Sequence, residues 1–133
     1  MSDRPLDVLF IGDVVGSPGR ERMAQVLQDM RRDGFPDLVV ANGENAAGGF
    51  GLTEKCYDEL LDMGASVITM GNHTWDKNEI LGFIGMSDRL VRPLNYFEGT
   101  PGRGWTLVRV RDIQVAVLNV MGRAFMPPVD CAF

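Results

Sequence analysis

The sequence predicts an α/β fold: a parallel sheet built as β-α-β-α-β-α, followed by a β-hairpin. Three observations lead there. Short apolar runs recur, each stopped by glycine or a polar turn. Stretches with apolar residues at helical spacing separate them. Beyond about residue 90 this alternation gives way to turns and two strand-like runs.

The first run, Asp7 to Gly12, reads DVLFIG and suits a fully buried strand. Pro18 then stands where a helix can begin. Met23, Val26, Leu27 and Met30 follow at helical spacing, which predicts an amphipathic helix from Pro18 to Arg32, closed by Gly34. Asp37 to Ala41, DLVVA, is a second buried strand. After a Gly/Asn-rich loop from Asn42 to Gly51, Thr53 caps a helix with Tyr57, Leu60, Leu61 and Met63 on its apolar side. Gly64 ends that helix. Ser66 to Met70, SVITM, is a third buried strand, and Asp76 to Phe83 reads as a third helix. Val91 to Gly104 is turn-rich, with Gly-Thr-Pro-Gly at 99–102. Trp105 to Val110 and Ile113 to Val120 are strands around a tight Arg111-Asp112 turn. Residues 1–133 are read as one portion of a single domain, without repeat or linker.

Composition narrows the function. The chain is 45% hydrophobic and 23% charged, enough apolar material for a core. A net charge of −5 argues against a surface that coats nucleic acid. Cys56 and Cys131 form no CxxC pair and read as unpaired thiols. No run approaches the roughly 20 apolar residues of a membrane span, and Val8 to Ile11 is too short for a signal sequence, so the cytoplasm is expected.

The chemistry gathers behind the three strands. Asp13 follows the first, Glu44 and Asn45 the second, Asn72 and His73 the third. Carboxyl ends of strands in an open α/β sheet form the ligand crevice, so these side chains are expected to converge. Two carboxylates and two amide oxygens are hard donors suited to Mg, Mn or Fe. A histidine beside them can protonate a leaving alkoxide. Each residue also has a plain reading. Asp13 can cap the next helix, Glu44 can be a solvated turn residue, the asparagines are turn formers and His73 can be a structural hydrogen bonder. His73 is, however, the one histidine in the sequence. Gly12, Gly16 and Gly19 loosely echo a dinucleotide fingerprint, but the spacing is not GxGxxG, and no GxxxxGK[ST] occurs.

Five blocks together resemble the YmdB-like branch of the calcineurin-like metallophosphoesterases. They are IGDVVGSPGR ending at Arg20, NGENAAGGFGLT from Asn42, TMGNHTWD from Thr69, RPLNY from Arg92 and VMGRAFM from Val120. Val15 stands where the wider superfamily has the histidine of Asp-x-His, a feature of the narrower branch. The resemblance implies a metallophosphoesterase sandwich, present here as its N-terminal portion. It also implies a metal-dependent phosphodiesterase acting on 2',3'-cyclic nucleotides or similar phosphodiesters. Asp13, Glu44, Asn45 and Asn72 would be metal ligands and His73 the catalytic acid, with two ions (Fe, Mn or Mg) in the complete enzyme. Further histidine ligands of the family lie in His-Ala-Glu-Ala-Thr and Gly-Thr-His-Thr-His blocks, neither of which is in these 133 residues. Asp130-Cys131-Ala132-Phe133 also departs from the family, which tends to have proline before the phenylalanine. The expectations are therefore a half-built metal site, one weakly held Mg or Mn, and an uncovered apolar sheet face that favours a homo-oligomer. The alternative is a non-catalytic nucleotide- or phosphate-binding regulatory protein on the same scaffold.

Overall fold

A computed structural model of the chain describes residues 4–133. Four parallel strands, β1 (Val8–Ile11), β2 (Leu38–Asn42), β3 (Val67–Thr69) and β4 (Leu90–Val91), lie side by side in chain order. Val8 stands opposite Leu38, Val40 opposite Val67, and Ile68 opposite Leu90. A separate antiparallel hairpin pairs β5 (Trp105–Val110) with β6 (Ile113–Leu118) around Arg111, whose φ is +54°.

The molecule has three layers. Helix α1 (Gly16–Asp33) and helix α2 (Glu54–Met63) cover one face of the parallel sheet, and the hairpin covers the other. The alternation of a strand's side chains explains why β2 is apolar throughout. Val39 and Ala41 pack with Met23, Leu27 and Leu60 of the helices. Leu38 and Val40 pack instead with Val110, Val115 and Val117 of the hairpin. Each fully buried leucine on these faces contributes about 1.5–3 kcal/mol.

Helix α2 starts as its sequence demands: the Thr53 hydroxyl accepts a hydrogen bond from the Cys56 amide at 3.2 Å, a cap worth about 1 kcal/mol. Gly34 and Gly64 end α1 and α2 at φ values of +130° and +120°. Helix α1 begins at Gly16, two residues ahead of Pro18.

Three expectations need correction. The third α-helix is a 3-10 turn over Asn78–Gly82. Ile80, Phe83 and Ile84 do enter the core, but Gly82 and Gly85 leave too short a stretch for a full helix. Strand β1 is not fully buried. Leu9 and Ile11 pack against the helical layer, whereas Val8 and Phe10 remain 54% and 62% exposed because the hairpin does not reach over the sheet's edge. Strand β4 lies at the start of the stretch read as turns, and its two residues are too few to show a period.

Arg92 explains that turn-rich stretch. Its buried guanidinium donates to the carbonyls of Pro93, Thr100 and Pro101 at 2.8, 3.0 and 3.1 Å. Burial holds its pKa below the usual arginine value. Cys56 is buried and Cys131 exposed, both free. Among the described residues, no helix is long and apolar enough to cross a membrane.

Candidate active site

The loops after β1, β2 and β3 are stitched together by their own backbones. Val14 donates to the Asn42 carbonyl at 3.0 Å, Gly16 to that of Asn45 at 2.9 Å, and Gly43 to that of Thr69 at 2.9 Å. These bonds hold three sequence-distant segments at one end of the sheet. Asp13, Glu44, Asn45, Asn72 and His73 all line one open crevice of about 430 Å³ there, with Phe10 and Asn42.

Asp13 has φ +42°, a left-handed conformation that aspartate tolerates better than most residues. Its Oδ1 accepts from the Asn45 side-chain amide at 2.7 Å. Glu44 is held from two sides. Oε1 accepts from Asn42 Nδ2 at 3.3 Å, and Oε2 accepts from the His73 backbone amide at 3.2 Å. The carboxylate lies directly on Gly71, where an added Cβ would collide with it.

The donor chemistry fits a hard cation. With Asn42 and Asn45 donating through their amide nitrogens, both Oδ1 atoms are buried without a hydrogen-bond partner. A buried acceptor without a partner costs about 1–3 kcal/mol, and a cation in the crevice would relieve it. Among the described residues, no group of three or more His, Cys, Asp and Glu forms a site by itself. Any such cation would draw on amide oxygens beside the carboxylates of Asp13 and Glu44.

Several residues at the site escaped the sequence reading. Asp76 Oδ2 lies 2.6 Å from His73 Nδ1. The carbonyl of Gly71 accepts from Thr74 Oγ1 at 2.6 Å and from Tyr96 Oη at 3.0 Å. Burial raises the pKa of Tyr96, and its ring stands 5.9 Å from that of Trp75. Asn119 Nδ2 donates to the Met70 carbonyl at 2.6 Å. Asn95 ties the last segment in: its amide donates to Met121 and Asp130 carbonyls at 2.7 and 3.0 Å and accepts from the Met121 amide at 2.9 Å. The available signals were Thr74 and Asp76, both in the block that holds His73; Tyr96, Asn95 and Asn119 act across long sequence separations.

Comparison with known proteins adds to this geometry. A family model described as "YmdB-like protein" matches residues 9–133. The chain is 52% identical over 126 residues to a 2',3'-cyclic-nucleotide 2'-phosphodiesterase of Bacillus subtilis, covering 95% of this chain and 48% of that protein. It is 33% identical over 129 residues to a putative phosphatase/phosphodiesterase of Mycoplasma genitalium, covering 92% and 45%. Among solved structures it matches a hypothetical protein from Thermus thermophilus with a TM-score of 0.86 at 44% identity, covering 93% of this chain and 48% of that one. A novel phosphatase from Mycoplasma pneumoniae matches with a TM-score of 0.88 at 30% identity, covering 97% and 48%. The chain therefore spans about half the length of the relatives it matches. The resemblance read from five short blocks extends over almost the whole chain, which belongs to the YmdB-like protein family.

Proposed function

We propose that this chain carries the first half of a phosphodiesterase site that hydrolyses 2',3'-cyclic nucleotides or similar phosphodiesters. The observation that carries the reading is the convergence of Asp13, Glu44, Asn45, Asn72 and His73 on one crevice. The partnerless Oδ1 of Asn45 favours a cation as its partner. The activity of the Bacillus subtilis relative, at 52% identity, suggests the substrate class.

Asp13, Glu44, Asn45 and Asn72 would hold a divalent cation through oxygen. What such an ion supplies when bound is a water of lowered pKa and neutralisation of phosphoryl charge. Glu44 is pre-positioned for the task by Asn42 and the His73 amide, so little ordering remains when a ligand enters. His73 gives its proton to the alkoxide that leaves as the ester P–O bond breaks. Phe10, at the crevice wall and 62% exposed, offers an apolar face to the organic part of the substrate.

The test is hydrolysis of 2',3'-cyclic AMP and bis-p-nitrophenyl phosphate with Mn. It is run on the chain alone and on the chain joined to the remaining half of the Bacillus subtilis relative. Turnover by the joined protein, lost on Asp13→Asn, supports the reading. Saturable binding of the cyclic nucleotide by the joined protein, with no turnover at any Mn concentration, would favour the non-catalytic alternative.

A further inference from the structure

His73 is pinned at both ends. Its backbone amide donates to Glu44 Oε2 at 3.2 Å, and its ring Nδ1 lies 2.6 Å from Asp76 Oδ2. The segment between is stiff. Thr74 donates through its backbone to the Gly71 carbonyl at 3.2 Å, and Asp76 to the His73 carbonyl at 3.3 Å. Thr74 is fully buried.

Asp76 is itself held in place from the loop after β2. A Cβ added to Gly51 would lie 3.4 Å from Asp76 Cβ and 2.6 Å from Lys77 Cγ. Gly51, at φ +73°, thus lets that loop press directly on the Asp76-Lys77 backbone.

From this geometry we infer that Asp76 is a positioning residue for His73: it accepts the Nδ1 proton, fixes the ring and leaves Nε2 as the nitrogen that handles the proton in the crevice. The chemical logic is that of any carboxylate–imidazole pair. A short bond to an ionised acceptor keeps hydrogen on the nearer nitrogen. The proton delivered to the leaving alkoxide then departs from Nε2, and the next one returns there from water. The Nδ1 hydrogen stays on the ring throughout, held by the Asp76 carboxylate. The catalytic use of the pair rests on the phosphodiesterase reading; the tautomer does not.

The experiment exploits the single histidine of the sequence. Histidine labelled with ¹⁵N gives one imidazole, whose two nitrogen signals are followed upward in pH and read where they reach their alkaline plateau. The wild-type chain is expected to show hydrogen on Nδ1. Asp76→Ala should move it predominantly to Nε2, and Asp76→Glu should restore Nδ1 at least in part. Asp76→Leu, of similar size and without an acceptor, serves the same comparison should the alanine variant not fold. An unchanged tautomer in a folded Asp76→Ala or Asp76→Leu chain overturns the inference. In the joined protein, Asp76→Ala should lower kcat roughly 10–100-fold with KM nearly unchanged. A rise in KM alone also overturns it. A tautomer switch in the 133-residue chain, with no turnover by the joined protein, would instead uphold the pairing and sink the phosphodiesterase reading.

Discussion

The side-chain amide of Asn45 donates to the carboxylate of Asp13 at 2.7 Å, joining two residues 32 positions apart across the mouth of the crevice. That bond fixes which way the Asn45 amide faces and leaves its oxygen buried and without a partner. Asp13→Asn removes both the charge and the acceptor. It should weaken Mn binding about 10–100-fold in isothermal titration, with little loss of fold. His73→Ala should behave in the opposite way: turnover by the joined protein falls roughly 10²–10⁴-fold while Mn content stays near wild type. Equal losses of metal in both variants would show that the two roles are misassigned.

Gly71 offers a sharper probe, because its φ is not in the left-handed region and the three atoms nearest to an added Cβ all belong to the Glu44 carboxylate. Gly71→Ala should push that carboxylate away and lower Mn affinity about 10–100-fold. Titration of the variant beside Glu44→Gln checks it. A Gly71→Ala chain that binds Mn normally would mean that Glu44 does not hold the metal.

Arg92 should matter for stability and not for chemistry. Its planar fork serves four carbonyls that a lysine cannot reach together. Arg92→Lys should cost about 2 kcal/mol and lower the melting temperature by several degrees, as read by circular dichroism.

Tyr57 and Tyr96 set an alkaline limit. Burial raises both pKa values above the ordinary tyrosine value. The folded state therefore keeps phenol protons that the unfolded chain releases from about pH 10 upward. Stability contributed by these groups is intact below that pH and is lost as pH rises toward the folded-state values. Tyr57→Phe should flatten the fall in denaturant midpoint between about pH 9.5 and pH 11. An equally steep fall in the variant would assign the limit to other groups.

Much of the site was legible because each chemical residue follows a strand, and strand ends converge in a parallel sheet. Asp13, Glu44, Asn45, Asn72 and His73 needed only that geometric rule. Strands β2 and β3 were equally plain, since both faces are covered and their apolar runs are unbroken. Burial of β1 was misread for the same reason: its sequence looks like β2, and no local pattern says that the hairpin stops short of it. The 3-10 turn was misread because Ile80, Phe83 and Ile84 satisfy helical spacing whichever way the segment winds. Tyr96, Asn95 and Asn119 act through bonds to carbonyls far along the chain, which carry no local signature.

The chain-order arrangement of the parallel strands also bears on how the protein is made. Val8 cannot meet Leu38, nor Ile68 meet Leu90, until the intervening segment has been synthesised and laid across the sheet. On a ribosome β1 must therefore wait, half-exposed, through all of α1 before it gains a neighbour. Its Val8 and Phe10 remain uncovered even then. The nascent chain thus presents an apolar strand to water from the moment β1 emerges until β2 is laid beside it.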